Sequence, residues 1–326
     1  AGVLYKGGAG LFNKGGAGRE SLSSSAQEEK NEVSQEREIA SAETYGEVYE
    51  YIKEYEKGLD RGSWFGAGDF AKSDGAKEDS VASSAADTGA SKIAASSASG
   101  YSETNVRQTG VDEGDIVKTD GRYLYIVKEN SEEVSIVDTS GDNMKEVSSI
   151  QADEDMQIQE LYLQTEEKNI ILICTSGEKT EAVTYRVEDP AHPVEAGRVT
   201  QSGWCHSTRM AEGILYLFSS YSVLGNPIDK DSPETFVPLV NEKAIRETDV
   251  CLPQGSRGCM YLIVTSVDMK QPDQTADSKA MLTEGGELYV SNDNIYYYET
   301  VYENSFFDQN RTETTIRRMA YNKGKL

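Results

Sequence analysis

From residue 101 onward, short apolar runs alternate with polar turns, and the same order of runs returns four times. Each unit opens on a short strand: "DIVKT", "IQELYLQ", "WCHSTRM" and "GELYVS". A turn and a more hydrophobic strand follow, in "TDGRYLYIV", "EEKNIILIC", "AEGILYLFS" and "NDNIYYYE". Third strands lie in "VSIVDTSGD", "VTYRVEDPAHP", "YLIVTSVDMKQPD" and "TTIRRMAYNKG". Fourth strands close the first three units, around "KEVSSIQ", "VEAGRVTQ" and "SKAML". The second strands of the first three units are about 45 residues apart, the period of a four-stranded propeller blade.

The pattern predicts an all-β fold over residues 101–326: an incomplete β-propeller of about four four-stranded blades, the last one unfinished. Such an arc exposes strand edges and the apolar faces meant for a neighbouring blade, so self-association is expected. The third unit is lengthened between its second and third strands by the stretch from Tyr221 to Gly258. Long loops on a rigid scaffold are where binding residues concentrate, which makes this insertion a candidate binding loop. Its Asp229, Asp231 and Glu234 could meet a cation, against the simpler reading of a solvated Pro-containing loop.

Upstream the texture differs. Residues 1–40 are rich in glycine, serine and charge and are expected to be disordered; "YKGGAG" and "FNKGGAG" lack the Lys-Ser/Thr ending of a phosphate-binding loop. Over 41–58, Tyr45, Val48, Tyr49, Ile52 and Tyr55 recur at helical spacing. Thr44 with Glu47 fits a capping box, and Gly58 suits a left-handed C-terminal cap. This amphipathic helix could dock on the downstream domain or on a partner protein. Residues 59–100, dominated by Ser, Ala, Gly and Asp, read as a flexible linker.

Composition narrows the function. The 326 residues carry a formal charge of −24, and only 37% are hydrophobic. A chain this acidic is unsuited to nucleic acid, whose phosphates must be met by Lys and Arg. No stretch holds the roughly 18 apolar residues of a membrane span. Of the four cysteines, none forms a CxxC pair, so zinc has no support. Cys251 and Cys259 flank a Pro/Gly-containing loop that could bring them into a disulfide in an oxidising compartment, while Cys174 reads as a buried strand thiol.

The acids of "GVDEGDIVKTDG" are the leading candidates for chemistry. Asp112, Glu113 and Asp115 are the candidate cation ligands, with Ca²⁺ as the ion, although an EF-hand ladder fails because Gly114 stands at its third position. Asp120-Gly121 is the turn of a hairpin. His192 lies in a turn, and His206 beside Cys205 and Ser207 sits in a strand whose neighbours point to opposite faces, so adjacency makes no dyad. No nucleophile elbow is present. Trp204 reads as a core or inter-blade anchor, and "NRT" at 310–312 fits a glycosylation sequon.

The stretches "TNVRQTGVDEGDIVKTDGRYLYIV", "YRVEDPAHPVEAGRV", "STRMAEGILYLFSSY", "YLIVTSVDM" and "GGELYVSNDNIYYYET" carry a resemblance. Across residues 101–321 the chain resembles bacterial secreted or membrane-anchored proteins whose C-terminal β-propeller is distantly related to WD40 repeats. The helix "TYGEVYEYIKEY" resembles a segment that precedes the propeller in clostridial members. The resemblance implies an outward-facing cell-envelope protein, attached to a membrane only through an anchor absent from this chain, with further blades beyond it. It carries over no catalytic residue.

The expected function is therefore a non-catalytic extracytoplasmic scaffold that presents loops to a protein or envelope polymer. The alternative is a hydrolase-like or cation-dependent enzyme using acids near the propeller channel. Propellers host both.

Overall fold

Successive side chains of a strand leave opposite faces of its sheet, so a run apolar at every interior position must be covered on both sides. "NIILICT" is such a run, and in the computed structural model its five interior residues are all buried. The structure describes residues 3–7, 39–66, 111–253, 258–305 and 308–326.

Strand β1 (Val3–Gly7), helix α1 (Tyr45–Gly66) and the short strand β2 (Val111–Asp112) precede the blades. Blade one is β3 (Val117–Thr119), β4 (Tyr123–Val127), β5 (Glu133–Asp138) and β6 (Lys145–Gln151). Blade two is β7 (Gln157–Gln164), β8 (Asn169–Thr175), β9 (Lys179–Arg186) and β10 (Val194–Ser202). Blade three starts with β11 (Trp204–Ala211) and β12 (Ile214–Ser222). After the insertion, which holds β13 (Leu239–Val240), β14 (Lys243–Ala244) and β15 (Val250–Cys251), it resumes with β16 (Met260–Asp268) and β17 (Asp277–Thr283). Blade four is β18 (Glu287–Val290), β19 (Asn294–Ser305) and β20 (Asp308–Ala320). Within every blade, consecutive strands are antiparallel neighbours.

The blade four stretch of the sequence supplies three strands, as its pattern predicts. The outer edge of β20 is then taken by β1, from the other end of the chain, with Val3 opposite Arg318 and Gly7 opposite Thr314. Val3–Gly7 and Ile39–Ala40 are described within the stretch expected to be disordered; residues 8–38 and 67–110, with most of the expected linker, lie outside the described residues.

Three cores hold neighbouring blades face to face. Tyr125, Val134 and Ile136 of blade one meet Ile158, Ile170 and Leu172 of blade two. The other face of blade two, through Tyr162, Ile171 and Ile173, meets Leu215, Leu217 and Val267 of blade three. Tyr216, Phe218 and Val264 of blade three meet Ile295, Tyr297 and Tyr321 of blade four. Side chains of this size contribute about 1.5–3 kcal/mol each when fully buried, so these interfaces dominate the stability.

A fourth core belongs to α1. Val48 and Ile52 are fully buried against Phe236, Val237 and Ile245 of the insertion and Tyr261, Ile263 and Leu282 of blade three. The Tyr49 ring stands edge-on to Phe236, centroids 5.5 Å apart, and the Tyr45 hydroxyl donates to the Ile245 carbonyl at 3.2 Å. Of the two readings of the helix, docking on the downstream domain is the one observed. Thr44 Oγ1 accepts from the Glu47 N–H at 3.3 Å, while the Glu47 carboxylate reaches back to the Glu43 N–H at 2.9 Å, a capping box displaced by one residue. The expected stop at Gly58 is corrected: α1 runs on to Gly66, and Gly58 lacks the positive φ of a C-terminal cap.

The insertion, the candidate binding loop, is tied to the blades: β13 and β14 extend blade two beyond β10, β15 extends blade three beside β17, and the stretch between them beds the helix. Trp204 is 39% exposed at the start of β11 and anchors no core.

Candidate functional site

The inner edge of a blade presents unpaired N–H and C=O groups that must be satisfied. Here the stretch after Gly110 does this for two blades in succession. Asp112 of β2 pairs with Met210 on β11, the inner edge of blade three. Three residues on, Asp115 bridges Leu161 on β7, the inner edge of blade two, donating to its carbonyl at 3.1 Å and accepting from its N–H at 2.8 Å. Only then does the chain begin blade one.

The acids along this crossing meet cations of the chain itself. Asp112 pairs with Lys118 at 3.3 Å, and Lys118, only 9% exposed, also donates to the Glu113 carbonyl at 3.0 Å. Glu113 pairs with Arg209 at 3.3 Å. Asp115 Oδ1 accepts from the Ile116 N–H at 2.7 Å. Among the described residues, no group of three or more His, Cys, Asp or Glu side chains is placed to hold a metal. Asp112, Glu113 and Asp115, the candidate cation ligands, each have a partner within the chain.

The crossing covers a polar cluster that the sequence reading missed. Thr208 donates to Glu160, and the Tyr162 hydroxyl lies 2.6 Å from Thr208 Oγ1. Burial pushes the Glu160 carboxyl above its usual range and Glu113 adds to this, while the Thr208 hydrogen bond and Arg209 oppose it. Gly114 lies directly on that carboxylate: a Cβ there would stand 2.4 Å from Glu160 Cδ. Both inner strands carry a β-bulge just before the cluster, between Ile158 and Glu160 and between Cys205 and Ser207. A bulge re-aims the side chains after it, which strict alternation cannot foresee.

A second concavity lies between the turns of blades two and three. It encloses about 720 Å³ and is walled by Arg186, Glu212, Asp268 and Lys270, with Gln164 and Asn169 at its blade-two side. Gln164 Oε1 and Asn169 Oδ1 are buried and accept no hydrogen bond. The β16–β17 turn closes one side by packing on Gly197, where a Cβ would stand 2.6 Å from the Asp273 nitrogen.

A family model described as a beta propeller domain matches residues 101–326. The chain belongs to that family. No curated protein and no solved structure matches it.

The remaining sequence candidates find structural places in the propeller. Burial pushes the Cys205 thiol up to about 12, and His206 occupies the bulge beside it. His192 is exposed in its turn and lies 2.8 Å from Asp189. Asp120-Gly121 forms the predicted turn: Asp120 Oδ1 accepts from Arg122 and Tyr123 N–H groups at 2.9 and 2.7 Å, and Gly121 has φ +93°. Asp229 likewise serves its own loop, accepting from the Asp231 N–H at 3.0 Å, and Glu234 sits in the short 3-10 turn Pro233–Thr235. Cys251 and Cys259, for which the sequence left a disulfide open, are free thiols. Cys259 packs in the helix core while Cys251 packs with blades three and four, so they belong to separate layers.

Proposed function

We propose that this propeller is a non-catalytic interaction scaffold, working outside the cytoplasm, that receives a cationic protein segment in the cleft between blades two and three. The carrying observation is that cleft of about 720 Å³, whose wall sets Glu167, Glu212, Asp268 and Asp273 against Arg186, Lys270 and Lys323, an excess of acid. The formal charge of −24 favours a cationic partner and disfavours an anionic envelope polymer. The extracytoplasmic placement rests on the resemblance of residues 101–321. The enzyme reading gains less support: Glu160 is covered by Gly114, and desolvation pushes the partly buried Cys205 thiol up to about 12.

The test is fluorescence anisotropy with labelled short peptides, one set rich in Lys and Arg and one rich in Asp and Glu, against the chain and its Ala196→Trp variant, which fills the cleft. Basic peptides should bind, weaken with salt, and lose about tenfold or more in affinity to the variant. Equal binding to both proteins, or none to either, would sink the proposal.

A further inference from the structure

Blades three and four meet ring to ring near β12, where Tyr216 and Tyr321 stand edge to face with centroids 4.7 Å apart. Farther out, where β16 and β17 face β19 and β20, the two sheets leave a cavity of about 190 Å³ between them. Strand pairing sets two matching patches against each other across it. On blade three, Leu262 pairs with Met281 and Val264 with Lys279. On blade four, Ile295 pairs with Met319 and Tyr297 with Arg317. Directly paired residues project to one face of their sheet, so each patch carries an apolar pair beside a cation. All eight residues line the cavity. Cys251, opposite Met281 on β15, and Ser41, bridged to Cys251, line the side beyond β17.

The charge of this lining runs against that of the whole. The chain carries −24, yet among the described residues the cavity is lined by Lys and Arg and by no Asp or Glu. The counter-ions stand outside the lining: Asp249 pairs with Lys279, and Glu299 with Arg317. Ammonium, guanidinium and thiol are hydrogen-bond donors, so the polar side of the cavity asks for an acceptor. Arg317 is only 4% exposed, and burial holds its pKa below the ordinary range, so its charged form gains from an anion brought beside it.

We propose that this cavity binds a small carboxylic acid with an apolar body, the carboxylate on Lys279 and Arg317 and the body among Leu262, Met281, Ile295 and Met319. Apolar walls with a few convergent polar groups are the usual make-up of a small-molecule site. A dry cavity of about 150 Å³ holds a benzene molecule. One of about 190 Å³ therefore has room for a body of that size with a carboxylate attached. Two of the apolar wall residues are methionines, whose unbranched side chains adapt to the shape of the body. Both cations keep their counter-ions, so charge selects the ligand more than it tightens it.

The test is isothermal titration calorimetry of the chain with hexanoate, hexanamide and hexylamine, which share a tail and differ in head group. Hexanoate should bind, the amide about tenfold or more weaker, and the amine not at all. Acetate, which has the head group without the tail, should also fail. Lys279→Met keeps the aliphatic stem and leaves Asp249 its pairing with Arg246, and should weaken hexanoate about tenfold or more. A second readout needs no variant. Cys251 is a partly exposed free thiol on the cavity wall, so hexanoate should slow its alkylation by iodoacetamide, followed by mass spectrometry. No binding of hexanoate, equal binding of acid and amine, or full affinity in Lys279→Met overturns the proposal. Hexanoate that binds while Cys251 reacts at its free rate sits elsewhere, and overturns it as well.

Discussion

Gly114 rests on the carboxylate of Glu160, close enough that a Cβ would stand 2.4 Å from Glu160 Cδ and 2.6 Å from Oε2. Glu160 is itself held by Thr208, so the side chain that would have to move is tethered. Gly114→Ala should destabilise the chain by about 1–3 kcal/mol in urea unfolding, the range for overpacking. Adding Glu160→Ala should recover part of that loss, with a coupling of about 0.5–3 kcal/mol expected for residues in contact. Strictly additive effects would mean that the contact does not constrain the crossing.

The same carboxyl makes a prediction about pH. Burial holds the folded-state pKa of Glu160 above its unfolded value of about 4.3. Its contribution to stability is therefore fully present below the unfolded value and is lost as pH rises through the folded one. Glu160→Gln keeps an acceptor for Thr208 and removes the titration. The variant should gain stability relative to the parent as pH rises from 4 to 8; a gap independent of pH would refute the assignment.

Glu133 in blade one shifts the other way. Hydrogen bonds from Lys128, Ser149 and Gln151 lower its pKa to about 2. The stability it contributes is present above the unfolded value and is lost as pH falls toward about 2. In a stability profile across that acid window, Glu133→Gln should show a shallower loss than the parent. Parallel profiles would count against the pairing.

Helix α1 is tied to blade three in part by Ile52, which is fully buried and whose carbonyl lies near the Cys259 thiol. Ile52→Ala should cost about 2–5 kcal/mol. Because the helix and the insertion share one core, proteolysis should then cut faster both after Lys53 and within residues 224–238. Faster cutting at Lys53 alone would show that the insertion stands without the helix.

Strand β1 covers the edge of β20 along residues 314–318. Deleting residues 1–7 should open that edge and promote aggregation, measured by light scattering. A synthetic peptide of residues 1–7, added in excess, should suppress the effect. No change on deletion would mean that β1 contributes nothing to blade four.

The blades were legible because their cause is local. Alternating apolar runs, polar turns and the pair Asp120-Gly121 each act within a few residues, and the strands at β6, β7, β10 and β11 fall where the pattern puts them. The helix was legible for the same reason, though its end was not. The candidate site was barely legible. Asp112, Glu113 and Asp115 stood out as a cluster of acids, but their partners Lys118, Arg209 and Leu161 lie 6, 96 and 46 residues away along the chain from Asp112, Glu113 and Asp115 respectively. Glu160 and Thr208 carried no mark at all, because bulges in two separate strands bring them together.

By itself the sequence determined an all-β propeller of repeated blades with an amphipathic helix ahead of it, since periodicity and turn chemistry operate at short range. Tertiary structure alone decided how those parts close on one another. It placed β1 on the last blade, turned the insertion into a bed for α1, and laid residues 111–115 across the inner edges of blades three and two. Those outcomes depend on which unpaired edges and uncovered faces meet after the chain has folded back, and no local pattern encodes that meeting.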